Sequence, residues 1–341
     1  MEKNKTSFKT FFVQNIYILS AVLVIVVFYF INPSFLSLYS IQNMTTELAP
    51  LLPMACGIAF VLYAGSIDLS IGAVASAVCV ITGLNVGEKG NIMILYMLLF
   101  GVMIGLINGL LVSKGKLPSF IVTLCAQSIY RAIAIILSNP HGGGSKNIPL
   151  KQRVVVNWAT NKVLGLPILF WISIAILLIA IVIERKTAIG KSIFAIGANE
   201  KAARMAGVNV TLTKICAFIL CSVGAAIGGI MYTYKLKSSV PTIGDNLYMM
   251  AISSVALGGT LFSGGKGSAL RTLVGVLTVT AISSGMNMAG VNPLWKNVVY
   301  GCVLIAAVAI NSEKGGRDLV IKSSGEGRFR AAELSLQNKQ E

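Results

Sequence analysis

Apolar residues fall along this chain in blocks, separated by short stretches that collect Gly, Pro, Asn and charge. A helix needs roughly 20 predominantly apolar residues to cross about 30 Å of hydrocarbon, and ten blocks approach that length. They are Ile16–Ile31, Leu48–Tyr63, Leu69–Leu84, Ile92–Val112, Phe120–Leu137, Ile168–Ile183, Ile215–Tyr234, Leu247–Phe262, Ala269–Met288 and Val298–Ile310. The pattern predicts an all-α polytopic membrane protein of about ten transmembrane helices. The first block is followed by Asn32, Pro33, Ser34 and Phe35 rather than by a small-x-small cleavage site, which favours an uncleaved span over a signal peptide.

Two blocks are interrupted. The second carries Pro50, Pro53 and Gly57 and runs into Gly65, Ser66, Ile67, Asp68, Leu69, Ser70, Ile71 and Gly72. The eighth leads into the glycine-rich stretch Gly258–Ser268. Irregular backbone at membrane depth must be buried in protein or line a watery cavity, because lipid cannot satisfy its polar groups. Paired interruptions in two halves of a chain point to a transport path. Gly105, Leu106, Ile107 and Asn108 before Pro118, and Gly285, Met286 and Asn287 before Pro293, hint at a duplication. Gly, Asn and Pro also recur simply where spans turn.

Composition agrees with a membrane body. Hydrophobic residues make up 55% of the 341 positions and charged residues 12%, against about 25% charged in soluble domains. The net charge of +16 does not indicate nucleic acid, because the basic residues sit in short loops between apolar blocks. Ten spans place both termini on one side. That side collects nineteen of the 28 Lys and Arg residues, the other side eight, and Arg131 lies inside a span. The bias predicts cytoplasmic termini. The expected organisation is one membrane domain over 1–311, with a cytoplasmic loop at 184–213, and a polar cytoplasmic tail over 312–341 without a fold of its own.

Catalytic and metal chemistry find little support. His141 is the only histidine, and the six cysteines lie in apolar stretches without a CxxC pair, so no metal site is expected. Gly190, Lys191 and Ser192 resemble the end of a phosphate-binding loop, but its first glycine would fall at Arg185. Three ionisable residues lie in or near spans, Glu47, Asp68 and Arg131, and such residues are costly in lipid. Asp68 either caps the helix that begins at Leu69 or faces the path. Arg131 is either a structural counter-charge or a snorkelling side chain.

Within the 184–213 loop, Asn199–Gly207 reads as a short capped helix. Asn199 suits the N-cap, Glu200 complements the positive helix end, and Gly207 suits the left-handed C′ position. Helices below about 12 residues are marginal alone, so this one is expected to dock, on its own membrane body or on a partner. Arg204 is a candidate partner contact, and Ala202 and Ala203 leave room for close packing.

With these motifs in hand, the chain resembles the permease subunits of bacterial ATP-binding-cassette importers for monosaccharides, over about Phe35–Asn311. The resemblance rests on the order of Gly65–Gly72, Gly105–Gly109, Pro118–Leu124, Gly190–Asn199, Ala202–Val210, Phe262–Gly267 and Gly290–Trp295. It implies a multi-pass protein of the bacterial inner membrane, a second permease subunit, an extracytoplasmic sugar-binding protein and a cytoplasmic ATPase. ATP and Mg²⁺ would sit on that ATPase, and no cofactor on this chain. The coupling segment would comprise Asn199, Glu200, Ala202, Ala203, Arg204, Met205 and Gly207. Candidates for the path are Asp68, Ser70, Asn108, Phe120, Phe262, Ser263 and Asn287. Cys125, Ala126 and Gln127 and the loop His141–Gly144 depart from the usual pattern and could alter substrate choice. The wider superfamily also transports branched-chain amino acids, nucleosides and a sugar-like signalling molecule. A secondary transporter or an intramembrane enzyme is the reading from another class.

Overall fold

A computed structural model describes residues 16–142, 144–150 and 161–309. The tail at 312–341 and the first basic cluster lie outside those residues, as does Ile310. Among the described residues the helices, in chain order, are α1 (Ile16–Ile31), α2 (Leu38–Tyr63), α3 (Ile71–Lys89), α4 (Ile92–Ser113), α5 (Ser119–Ser138), α6 (Ile168–Lys186), α7 (Ala188–Ala198), α8 (Glu200–Met205), α9 (Val210–Leu236), α10 (Gly244–Leu257), α11 (Ala269–Met288) and α12 (Leu294–Ala309). Each of the ten apolar blocks is represented by a helix. Seven of the helices are long and apolar enough to cross a membrane by themselves. The protein is an all-α, multi-pass membrane protein.

The second block differs from expectation. α2 starts at Leu38, where Ser37 accepts a cap bond from the Ser40 amide, and runs unbroken through Pro50 and Pro53 to Tyr63. It is buried on every side from Leu48 onward. α9 packs directly on the segment that carries the two prolines. A Cβ at Gly224 would meet the Pro53 carbonyl oxygen at 2.5 Å, and one at Gly228 would meet that of Pro50 at 2.8 Å. Small residues four apart let helix backbones approach in this way. Gly101, Gly105 and Gly109 on α4 do the same against the opposite side of α9. α9 is therefore the central post, clamped between α2 and α4.

Two helices begin inside the bundle. After α2, residues 64–70 are non-helical, and Ser70 lies beside Asn108, about 8 Å before α4 ends. After α9, the chain turns back along α3. Ser239 packs at Gly83, the Val240 amide reaches Cys79 Sγ at 3.4 Å, and the Gly244 amide donates to Ser76 Oγ at 2.9 Å. α3 and α10 thus start at similar depth, and their first turns touch at Gly72 and Gly244. A Cβ on either glycine would strike the carbonyl oxygen of the other.

The few strands close the far end of the bundle. β1 (Ile148–Pro149) pairs antiparallel with β4 (Ser238–Ser239), and β2 (Lys162–Val163) with β3 (Leu166–Pro167). The loops at 114–118, 187–209 and 258–268 gather at the opposite end. The side-chain bonds at the far end are polar: Glu47 pairs with Lys235 at 2.7 Å, and Lys162 with Gln42 at 2.8 Å.

Candidate functional site

The first break is held by a set of polar contacts that leaves Asp68 Oδ2 without a hydrogen-bond partner. α2 ends with Gly65 at φ +70, the Gly65 amide bonding Leu62 O and the Ser66 amide bonding Val61 O. This is the paired 5→2 and 6→1 arrangement that terminates a helix at a left-handed glycine. The Ile67 amide donates to Ser119 Oγ at 3.2 Å. Asp68 Oδ1 accepts from the Ser70 amide at 2.9 Å and from Ser70 Oγ at 2.6 Å, while Asn108 Nδ2 donates to Ser70 Oγ at 3.1 Å. Asp68, Ser70 and Asn108 are all fully buried. Three of the path candidates therefore meet, in the interior. Asp68 does not cap a helix beginning at Leu69: α3 begins at Ile71 after Ser70, and the carboxylate forms a turn two residues long in front of it.

Asp68→Asn is expected to retain at least half of wild-type transport, and Asp68→Leu less than a tenth. Asn keeps an acceptor for both Ser70 donors, whereas Leu leaves them unpaired, at about 1–3 kcal/mol for each buried group. Transport assays at matched expression check this, and equal activity of the two variants would remove the turn-holding role.

The second break repeats the helix ending. Gly259 at φ +78 bonds Ala256 O, and the Thr260 amide bonds Val255 O. The loop then turns at Gly264 and Gly265, and the Gly265 amide donates to Tyr63 O at 2.9 Å. The two breaks are thereby joined backbone to backbone. Phe262 is half-buried against the core and Ser263 is exposed beside it. Phe120 is exposed on the first turn of α5. Asn287 is placed elsewhere, near the other end of α11, where it accepts from Lys296 Nζ at 2.6 Å.

The capped helix forms as its sequence indicates. Asn199 is extended, and its Oδ1 accepts from the Ala202 amide at 3.0 Å. At the other end Gly207 has φ +84, its amide bonding Arg204 O and the Val208 amide bonding Ala203 O. Glu200 bonds Lys214 at 2.7 Å and Arg204 at 3.2 Å. The hydrogen bond from Lys214 holds the Glu200 carboxyl below the usual carboxylate range. Ala203 corrects the expectation of room for a partner: it is buried against its own chain. Lys201, Ala202, Arg204 and Met205 are exposed on the helix, Met205 at 84%, as are Asn199 and Gly207 at its ends. A cavity of about 530 Å³, lined by Ser66, Lys116, Ser119, Glu200, Arg204 and Lys214, separates α8 from the first break.

Between α8 and the breaks stands α7. Thr187 caps it by accepting from the Gly190 amide at 3.1 Å. Phe194 stacks on Tyr63 with ring centroids 4.5 Å apart. A Cβ at Gly197 would collide with Tyr63 O and lie 2.5 Å from the Gly265 amide nitrogen. One helix thus touches both breaks at their junction and leads straight into α8.

Residues 40–308 match the family described as the branched-chain amino acid transport system permease component. The chain belongs to that family. It is 33% identical to the ribose import permease protein RbsC of Bacillus subtilis over 296 residues, 86% of this chain and 90% of that protein. It is 30% identical to RbsC of Haemophilus influenzae over 327 residues, 94% of this chain and 100% of that one. The L-arabinose transport system permease protein AraH of Escherichia coli is 32% identical over 290 residues, 83% of this chain and 85% of the relative. No solved structure matches this permease.

Two features of the permease escape a reading of its sequence. Glu184 is buried at the end of α6, and its Oε2 accepts from the Ala269 amide at 2.6 Å, capping α11. A carboxylate suits that site, where unpaired amides and the helix dipole both favour an anion. Its neighbours Arg185 and Lys186 make it look like an ordinary loop residue. Arg131 pairs with Asp245, Nε to Oδ1 and Nη2 to Oδ2, both at 2.7 Å. The counter-charge reading of Arg131 was available, but its partner lies 114 residues away.

Proposed function

We propose that this chain is the membrane-spanning subunit of an ATP-driven importer for a monosaccharide. The relatives are named for ribose and arabinose, and the ordered motifs from Gly65–Gly72 to Gly290–Trp295 lie in the breaks and loops described above. The observation that carries the reading is the continuous link from the exposed α8, through α7, to the point where both breaks meet. An importer driven from outside its own chain needs such a link, because force must reach the path mechanically. In this reading the capped helix docks on a cytoplasmic ATPase that binds ATP and Mg²⁺. A second permease subunit completes the path, and an extracytoplasmic binding protein delivers the sugar. The chain itself acts as a transport subunit, with no cofactor of its own.

Reconstitution tests it. Liposomes holding the permease with its ATPase and sugar-loaded binding protein are expected to accumulate radiolabelled ribose or arabinose only with internal ATP. Uptake driven by an ion gradient without the ATPase would identify a secondary carrier instead. The same reading places both termini in the cytoplasm. Lys146→Cys, in a background with Cys125 and Cys302 replaced by Ser, is expected to react with a membrane-impermeant maleimide in intact cells. Reaction only after the inner face is opened would invert the topology.

A further inference from the structure

Arg131 and Asp245 sit where charges are hard to keep. Arg131 lies twelve residues along α5, about 18 Å from its start, close to half of a hydrocarbon layer of about 30 Å. Their side chains are 48% and 36% exposed in the single chain. Ionisable groups at such depth face the bundle interior or a water-filled cavity. They border a cavity of about 510 Å³, also lined by Leu124, Gln127, Ser128 and Tyr248. Gln127, Ser128 and Arg131 fall on one face of α5, since residues three and four apart are neighbours on a helix. Asp245 and Tyr248 are three apart on the first turns of α10, one of the two helices that begin inside the bundle.

We infer that this cavity is a contact station for a neutral polyhydroxyl molecule crossing the membrane. The inference rests on the sugar-permease reading and names the residues that would touch the cargo. The volume falls within the roughly 300–1,000 Å³ of small-molecule sites. Guanidinium and carboxylate cancel each other, so the cavity attracts neither an anion nor a cation. The carboxylate retains acceptor sites beyond those the guanidinium uses, and the guanidinium retains N–H donors. Gln127 and Ser128 add further donors and acceptors, and Tyr248 offers an apolar ring face with a polar tip. A sugar matches that mixture, because it presents adjacent hydroxyls at its edges and C–H groups on its faces. Leucine's branched apolar side chain would leave the donors and acceptors of Gln127 and Ser128 without partners.

Two measurements on the reconstituted full transporter test the station. A Ser128→Cys permease, with Cys125 and Cys302 replaced by Ser, is labelled by maleimide with and without millimolar ribose, arabinose or leucine. A several-fold slowing by a sugar and none by leucine is expected. Equal slowing by leucine, or none by either sugar, overturns the inference. Gln127→Ala and Asp245→Asn are then compared for uptake of ribose and arabinose. At least a threefold change in the ratio of the two rates is expected, which a purely structural tie between α5 and α10 would not produce. If both variants lower both sugars in proportion, the pair is only a tie and the station is wrong. A wild-type permease that takes up neither sugar would instead defeat the sugar reading itself.

Discussion

Gly197→Ala is expected to abolish transport in a permease that still inserts into the membrane. The added methyl would run into Tyr63 O and the Gly265 amide, which are hydrogen-bonded to each other. Both obstacles are backbone, so no flexible side chain can swing aside. Relief requires lifting α7 away from the junction of the two breaks. Overpacking of this kind costs about 1–3 kcal/mol, against a typical folding stability of about 5–15 kcal/mol. The variant should therefore remain folded while the link between α8 and the breaks is displaced. Sugar uptake should fall more than tenfold, with the melting temperature in detergent only a few degrees lower. Gly301→Ala, on α12 with open space around it, serves as control and should transport normally. Normal uptake by Gly197→Ala would mean that α7 is not part of the transmission.

The second large effect is expected at the end of α8. Gly207 has φ +84 with open space around it, so backbone conformation alone, not crowding, disfavours most other residues. An L-residue in the left-handed region costs about 1–2 kcal/mol, and a β-branched one is a genuine outlier there. Gly207→Val should therefore redirect the chain and abolish co-purification of the ATPase. Gly207→Asn should keep most of it, because Asn tolerates that region. Met205→Asp tests the docking face itself, since the Met205 side chain is almost fully exposed on it. It should release the ATPase without altering the stability of the permease. Arg204→Glu is less informative, because reversing that charge sets it against Glu200 as well. Ala203→Trp would disturb the permease's own packing. If Gly207→Val and Met205→Asp both retain the ATPase and its sugar-stimulated hydrolysis, α8 is a passive turn.

What the sequence discloses here follows the range of the interactions. The ten blocks are legible because hydrophobicity at a span's length is set by the bilayer, whatever each span packs against. The caps at Asn199 and Gly207 are legible because every bond they make is within a few residues. α7 is not legible, because Gly190 and Gly197 look like helix breakers until Tyr63 and Ile183 are brought against them. The continuity of α2 is hidden because Pro50 and Pro53 read locally as helix breakers, yet the helix runs through both. Of the path candidates, Asp68, Ser70 and Asn108 come from two separate motifs, and only the fold brings them into contact. On α5, Gln127 and Arg131 stand out singly in the sequence, but the cavity they share with Asp245 does not, because Asp245 is far along the chain.

The inward start of α10 bears on how the protein is made. Fourteen residues of helix reach about 21 Å, too short to be released into lipid as an independent span. Just before it the Val240 amide donates to Cys79 Sγ, and the first amide of α10, Gly244, donates to Ser76 Oγ; both acceptors lie on α3. A ribosome finishing this region cannot hand it to the bilayer unless the first half is already waiting alongside. Chains truncated before α9 should still leave the insertion machinery, because α2 to α6 are each long and apolar enough to cross by themselves. A fragment beginning at α9 should stall there until the first half is supplied in trans.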